Sequence, residues 1–531
     1  MAYHEAMYFL LFLPAVIICY QLIPQKFRWS VLLFFGYAFY IIMSRKLVFF
    51  LLGATGITYG TGCLLGYMKK KAKTACSAGE TTHEEKKKIK SDSKRKQKKV
   101  LVAGIGILLL CLIYMKYSGF LVENINVVLN QLHIKNSLTV KTWILPLGIS
   151  FYTLSAIGYL VDVYWEKIPY EKHFGKFALF LGYFPVIMEG PICMYEDISK
   201  ELAEGKPVQG DWLIRGYLRI VWGIFKKSVI ADRLYIAVSA LFDHYTDYSG
   251  VMIIAAAVFY AVQLYMEFSG SMDIIIGSSE IFGVHLPENF AQPFVSANAS
   301  EFWRRWHISL GRWFKTYIFY PVSMSKLAKR WNKFAKKHTS VYVKQIVASA
   351  IALFPVWICN GLWHGPRWSY IFYGLYYFTV ILIELMLEQP FTKLCGKLSI
   401  NKNSGWCRRI RILKTWVIIF TGELFFRADT LQIGMHMLQS MFHQFHISQL
   451  WDGTLYNLGL DKADWIVILA ALSVVGIVNH LRERKVDLRE KIMVQKLPAR
   501  WAVYMCLILA VVIFGAYGPG YQEVDLIYAG F

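Results

Sequence analysis

The stretch QIVASAIALFPVWICNGLWHGPRWSYIFYGLYYFTVILIELML, residues 345–387, decides the fold. Two apolar runs flank the turn NGLWHGPRW at 360–368, and Arg367 and Glu384 are the only Asp, Glu, Lys or Arg residues in the whole stretch. A helix of about 20 apolar residues spans the roughly 30 Å of bilayer hydrocarbon. Gly361, Gly365 and Pro366 interrupt the helical pattern between the runs. The stretch therefore predicts a hairpin that enters a membrane and returns to the side it came from, with His364 at its tip. Irregular backbone at such a depth persists only where protein or a water-filled cavity satisfies its N–H and C=O groups. The tip thus predicts a cavity, and an ionisable ring placed there predicts a functional site.

The remainder of the 531 residues repeats the pattern. With 56% hydrophobic and 16% aromatic residues and a mean hydropathy of +0.39, the chain is too apolar for a string of soluble domains. Candidate spans lie near 7–24, 29–43, 47–67, 100–116, 143–161, 174–193, 212–230, 250–268, 345–363, 368–387, 410–426, 464–480 and 501–517. Several are short or polar, which predicts about 11 crossings with the others re-entrant or lying flat. The expected class is an all-α polytopic membrane protein. There is no internal repeat and no long Pro/Gly/Ser linker, so one integral-membrane domain over 1–531 is expected.

The formal net charge is +23, but the cations lie in loops between apolar spans and not on a compact basic surface, which argues against nucleic acid as a partner. Residues 69–99, KKKAKTACSAGETTHEEKKKIKSDSKRKQKK, hold 13 Lys/Arg against 4 acidic residues. The positive-inside rule places them in the cytoplasm, as a solvated, disordered loop attracted to anionic lipid. Segments 326–344, 393–414 and 481–500 follow the same rule. Three spans precede residue 69, so the N-terminus is expected outside. The first 25 residues contain no Lys or Arg and no cleavage-site pattern, and the first span is expected to be retained. The nine cysteines, at 19, 63, 76, 111, 193, 359, 395, 407 and 506, form no CxxC pair and indicate neither a disulfide framework nor a zinc site.

A second histidine lies in EFWRRWHISLGRWFKTYIFYP, residues 301–321. Placed on one helix over 302–320, Phe302, Trp313, Trp306, Tyr317, Leu310, Trp303, Phe314 and His307 fall in that order over roughly 140° of arc. Arg304, Arg305, Arg312 and Lys315 take the other side, as in a helix lying at a membrane interface. His307 on the aromatic face reads equally as a core histidine bonded to a carbonyl or as a site residue. Elsewhere, Glu267, Asp273 and Glu280 flank a Ser/Gly-rich break in YMEFSGSMDIIIGSSEIFG (265–283), Asp162 ends GISFYTLSAIGYLVD, and Glu189 sits in FPVIMEGPI. The structural reading of these carboxylates is that they accept backbone N–H bonds at helix breaks.

In chain order, GISFYTLSAIGYLVDVY (148–164), FP…GPI (184–192), FSGSMDIIIG (268–277), PFVSANASEFWRRWHISLGRWF (293–314), LWHGPRW (362–368), LFFRADT (424–430) and the final FGAYGPGYQEVDLIYAGF resemble successive motifs of the membrane-bound O-acyltransferase family. The similarity is greatest to its bacterial alginate O-acetylation and teichoic acid D-alanylation branch. The resemblance implies a ring of transmembrane helices, with re-entrant and interfacial helices, around a central tunnel. It implies His364 and His307 as the catalytic pair, with Trp303, Arg304, Arg305, Trp306, Asn360, Trp363, Ser269 and Asp273 lining the substrates and no metal. It implies no bound cofactor, a cytosolic donor that is acetyl-CoA or an acyl carrier protein thioester, a polysaccharide acceptor outside a bacterial plasma membrane, and an extracytoplasmic acyltransferase that relays the group.

Acyl transfer from thioester to hydroxyl needs a base for the hydroxyl, polarisation of the carbonyl and exclusion of water. A neutral imidazole can take the proton, which makes His364 the expected base and His307 the group that orients substrate or stabilises charge. No GxSxG elbow, P-loop or GxGxxG element is present, so a serine acyl-enzyme, ATP-driven transport and dinucleotide redox chemistry have no support. A solute transporter is the alternative from another class, and the lack of inverted repeats with paired broken helices counts against it.

Overall fold

The computed structural model describes residues 3–77, 82–134, 138–140, 144–402, 404–443 and 445–517. In chain order its α-helices are α1 (Leu13–Leu22), α2 (Arg28–Ser44), α3 (Val48–Ser77), α4 (His83–Gln131), α5 (Ile149–Trp165), α6 (Phe174–Gly182), α7 (Tyr195–Glu204), α8 (Gly210–Ile224), α9 (Asp232–Asp243), α10 (Gly250–Glu280), α11 (Ala299–Arg305), α12 (Ile308–Phe314), α13 (Tyr320–Ser323), α14 (Lys326–His338), α15 (Val341–His364), α16 (Trp368–Lys397), α17 (Gly405–Arg427), α18 (Leu431–Ser440), α19 (Lys462–Glu483), α20 (Leu488–Met493) and α21 (Leu497–Phe514). Among the described residues seven helical runs are long and apolar enough to cross a membrane. The protein is an all-α polytopic membrane protein. From residue 518 onward the C-terminal motif lies outside the described residues.

The chain forms two compact units, one from Met1–Gly216 with Ile275–Pro287 and one from Tyr217–Ile274 with Glu288–Gly530. In the first, Tyr3, Tyr8, Phe12, Phe39 and Phe184 form one ring cluster, and the Tyr3 hydroxyl donates to the Phe184 carbonyl at 2.7 Å. Helix α5 is buried from Ile149 to Val163 apart from Ser155, and its last carbonyls receive the ammonium groups of Lys69 (to Val163, 2.6 Å) and Lys94 (to Tyr164, 3.0 Å). Cations at a helix C-terminus meet both unsatisfied carbonyls and the negative end of the dipole.

Those two lysines correct the expectation for residues 69–99. The basic run is not a disordered insertion over its described part: it extends α3 to Ser77 and opens α4 at His83. Thr82 caps α4 in a reciprocal box with Glu85, and the Lys-rich sequence that follows has high helix propensity. High charge removed the hydrophobic reason to fold, but the apolar continuation of both helices anchors the run at each end.

In the second unit, α15 and α16 form the hairpin expected from 345–387, and the helix interruption falls at Gly365–Arg367. Two glycines set its closeness. A Cβ on Gly361 would lie 2.3 Å from the Tyr370 carbonyl oxygen, and one on Gly374 would lie 2.3 Å from that of Trp357. Backbones approach this closely in membranes only through residues without side chains. Helix α10 overturns another expectation. It runs unbroken through GSMDIIIGSS, and its small residues serve packing: Gly270 meets Gly223 of α8 backbone to backbone.

Candidate active site

His364 is the last residue of α15 and 4% exposed. Four rings surround its imidazole: Trp363 (centroids 5.0 Å apart), Phe426 (4.9 Å, 88°), Tyr373 (5.7 Å, 84°) and Tyr370 (6.2 Å). The first lies on its own helix, two on α16 and one on α17. Edge-to-face contacts of this kind fix a ring's plane without consuming its nitrogens. Beneath them, the Tyr373 hydroxyl donates to Glu423 Oε1 at 3.1 Å. Glu423 is 1% exposed, and its Oε2 has no hydrogen-bond partner among the described residues. Glu423 and Phe426, three residues apart, share a face of α17.

His307 is buried to 3% exposure, but the single helix expected over 302–320 does not form. The chain leaves α11 at Trp306, passes through His307 in the left-handed region (φ 47°, ψ 53°) and begins α12 at Ile308. An antiparallel bridge pairs Trp306 with Phe290, and the Ile308 N–H donates to the Asn289 carbonyl at 3.0 Å. The arc of residues read from a 100° period therefore does not hold beyond residue 305. A strand-like partner 16 residues upstream has no signature in local periodicity, and it captures backbone groups that a helix would have used.

Asn289 is the centre of that turn. Its Oδ1 accepts from Ser309 N–H (3.0 Å) and Ser309 Oγ (2.9 Å) and lies 3.2 Å from His307 Nδ1, while its Nδ2 faces Met272 Sδ at 3.2 Å. An oxygen already accepting from two donors requires Nδ1 to carry a proton, so in the neutral ring the lone pair is on Nε2. The ring packs against Phe268 (4.9 Å, 83°) and Trp363 (5.5 Å, 67°). Trp363 touches both imidazoles, and the two histidines, 57 residues apart in sequence, share one wall.

Other expected site residues separate into groups. Trp303 stands against Trp357 (5.1 Å), Tyr377 (4.8 Å) and Tyr373 (6.1 Å), and Trp306 stacks on Phe302 (5.4 Å, 19°) and meets Phe290. Asn360 lies one turn before His364 on α15, buried, with no hydrogen-bond partner on its Oδ1 among the described residues. Arg304 is exposed and bonds Ser300, whereas Arg305 forms a two-pronged pair with Glu483 and bonds the Ala291 carbonyl. Arg305 thus braces the loop that carries Asn289.

Asp273 and Ser269 belong to a buried ionic cluster on α10. Asp273 accepts from Arg219 Nε (2.8 Å) and pairs with Lys226 (2.7 Å), which also donates to Ser269 Oγ (2.9 Å); Arg219 reaches Glu288 at 2.6 Å. The carboxylate thus answers two buried cations, and does not cap a broken helix. Asn289, Glu423, Tyr373, Phe426, Arg219 and Lys226 are site or near-site residues that sequence reasoning missed. A carboxylate within the apolar FTGELFF (420–426) and the Lys pair in WGIFKKSVI (222–230) were the available signals.

Residues 166–412 match the family model described as MBOAT, membrane-bound O-acyltransferase family. The chain is 28% identical over 489 residues to the probable alginate O-acetylase AlgI of Pseudomonas syringae pv. tomato, covering 92% of this chain and 84% of that protein. It is 28% identical over 354 residues to the peptidoglycan O-acetyltransferase of Helicobacter pylori, covering 62% of each. To the teichoic acid D-alanyltransferase of Bacillus subtilis it is 29% identical over 235 residues, covering 44% of this chain and 56% of the relative.

Proposed function

From the match of residues 166–412 to the membrane-bound O-acyltransferase family model, we propose that this chain belongs to that family and moves an acetyl group from a cytosolic thioester to a hydroxyl of an extracytoplasmic cell-surface polysaccharide, directly or through a partner that relays it. The choice of acetyl over D-alanyl rests on coverage. The relative named for alginate O-acetylation aligns with 92% of the chain, and two named for D-alanylation with 44% and 53%. Acetyl-CoA is the donor on this reading, and an acyl carrier protein is the donor on the second.

The observation that carries the mechanism is the ring box around His364 at the hairpin tip. In the proposed step an imidazole nitrogen of His364 takes the proton of the acceptor hydroxyl as its oxygen attacks the thioester carbonyl. The tetrahedral intermediate then collapses with loss of thiolate, which receives that proton, giving ester and thiol. Walls of Trp, Tyr and Phe exclude the water that would otherwise hydrolyse the donor. On this reading His307, whose ring also meets Trp363, orients a substrate.

Transfer of radiolabelled acetyl from acetyl-CoA by membranes carrying the protein tests the reading. General-base catalysis contributes roughly 10²–10⁴-fold, so His364→Ala is expected to lower turnover by about that factor while the protein remains folded in detergent. Turnover near that of the wild type ends the assignment. Comparing polysaccharide acylation in cells with and without the chain, by mass spectrometry, identifies the acceptor.

A further inference from the structure

Helix α14 bears six Lys/Arg residues in 13, at 326, 329, 330, 333, 336 and 337, and no acid. All six are exposed. At 100° per residue they occupy an arc of about 120°. On the opposite side Ala328 and Ala335 are buried, and the Trp331 indole donates to the Lys344 carbonyl of α15 at 3.2 Å. Ser325 caps the helix start by accepting from the Ala328 N–H.

Between the buried alanines and the cations lie two large apolar side chains that the protein does not cover: Leu327, 63% exposed, and Phe334, 53% exposed. An aqueous partner would leave them wet. A leaflet surface would not, because acyl chains receive the apolar flank at the depth where phosphates meet the ammonium and guanidinium groups. The basic start of α4 lacks this combination. Its cations from Lys86 to Lys99 are interrupted by Asp92 and carry Ile89 as their one large aliphatic residue.

We propose that α14 is a binding surface for anionic phospholipid, with the six-cation stripe on the headgroup phosphates and Leu327 and Phe334 among the acyl chains. The helix, about 20 Å long, would lie along the leaflet where α15 enters the membrane, and anionic lipid would hold that end of the hairpin. The proposal does not depend on the acyl-transfer reading.

Native mass spectrometry of the purified full chain, titrated in detergent with phosphatidylglycerol or phosphatidylcholine, tests it. Wild type should retain phosphatidylglycerol in preference. A basic residue near an anionic surface contributes enough that losing several weakens binding substantially, so Lys329→Gln/Arg330→Gln/Lys333→Gln together should reduce phosphatidylglycerol retention by roughly tenfold or more. Phosphatidylcholine retention should not change, and Lys86→Gln/Lys88→Gln/Lys90→Gln should lower phosphatidylglycerol retention less than the α14 triple variant does. Leu327→Ser/Phe334→Ser should reduce retention of both lipids, a result that a purely ionic surface would not give. Equal retention of the two lipids by wild type, or unchanged phosphatidylglycerol retention in the α14 triple variant, overturns the proposal. So does complete displacement of phosphatidylglycerol by soluble polyglutamate, which would assign the stripe to an acidic protein.

Discussion

His307 is a residue whose backbone is as informative as its ring. At φ 47° it occupies the left-handed region, which costs an L-residue about 1–2 kcal/mol and glycine almost nothing. The turn persists because Asn289 binds it through its backbone carbonyl and through Oδ1. Two outcomes follow. His307→Gly should be more stable than His307→Ala by about 1 kcal/mol, read as thermal midpoints in detergent, while acyl transfer falls in both. Equal midpoints would show that the strained turn is not maintained without the ring. Asn289→Ala should destabilise more than either, by about 1–3 kcal/mol, because it leaves the buried Ser309 N–H and Oγ without their acceptor. Restoration of stability by Asn289→Asp but not by Asn289→Leu would identify the oxygen as the part that matters. None of this was legible locally, since the sequence around 307 has an amphipathic helical period and its partner at 289 lies in a loop. The position of His364 at the hairpin tip was legible, because a histidine between two glycines and two apolar runs leaves few structural alternatives.

At the scale of elements, the α15–α16 hairpin is where sequence and structure agree most closely. Length, apolarity and the Gly/Pro tip defined it, and those are properties of the bilayer as solvent more than of any partner. The contact that closes it depends on Gly361 and Gly374. Alanine at either should overpack the helix pair and cost about 1–3 kcal/mol or more, seen as a lower thermal midpoint or lost monodisperse protein on size-exclusion chromatography. Gly396, also on α16, has open space around its Cβ position, so Gly396→Ala should be neutral or stabilising by about 0.5–1 kcal/mol. If Gly361→Ala and Gly396→Ala melt alike, the close backbone approach is wrong. The same physics explains why the Ser/Gly run of α10 was misread. In water such a run weakens a helix, but in a membrane small residues let two helices meet, and 270 meets 223. The buried pairs of Asp273 with Arg219 and Lys226 were hidden for a related reason: the cations come from α8 and the helical turns after it, about 50 residues earlier in the chain.

Across the whole molecule, the proposed chemistry requires that donor and acceptor come from opposite sides, so the sidedness of the chain is part of the function. Helix α15 is 24 residues long, about 35 Å at 1.5 Å per residue, enough to separate the basic α14 at its start from His364 at its end by the full hydrocarbon thickness. Helix α4, at 49 residues, is longer than any bilayer. Its basic first third must project into water, and the apolar part from residue 100 must cross. Lys69 and Lys94 bonded to the end of α5 put that end on the basic side too. On the proposed function the charge rule would put 69–99 and α14 in the cytoplasm and the end of α4 outside. In a background with all nine cysteines replaced by alanine, a membrane-impermeant maleimide on intact cells should label Gln131→Cys and neither Ala72→Cys nor Lys336→Cys. Permeabilised cells should label all three. Labelling of residue 336 on intact cells would put α14 outside, place the hairpin tip on the cytoplasmic side and leave an exported acceptor on the wrong side of His364.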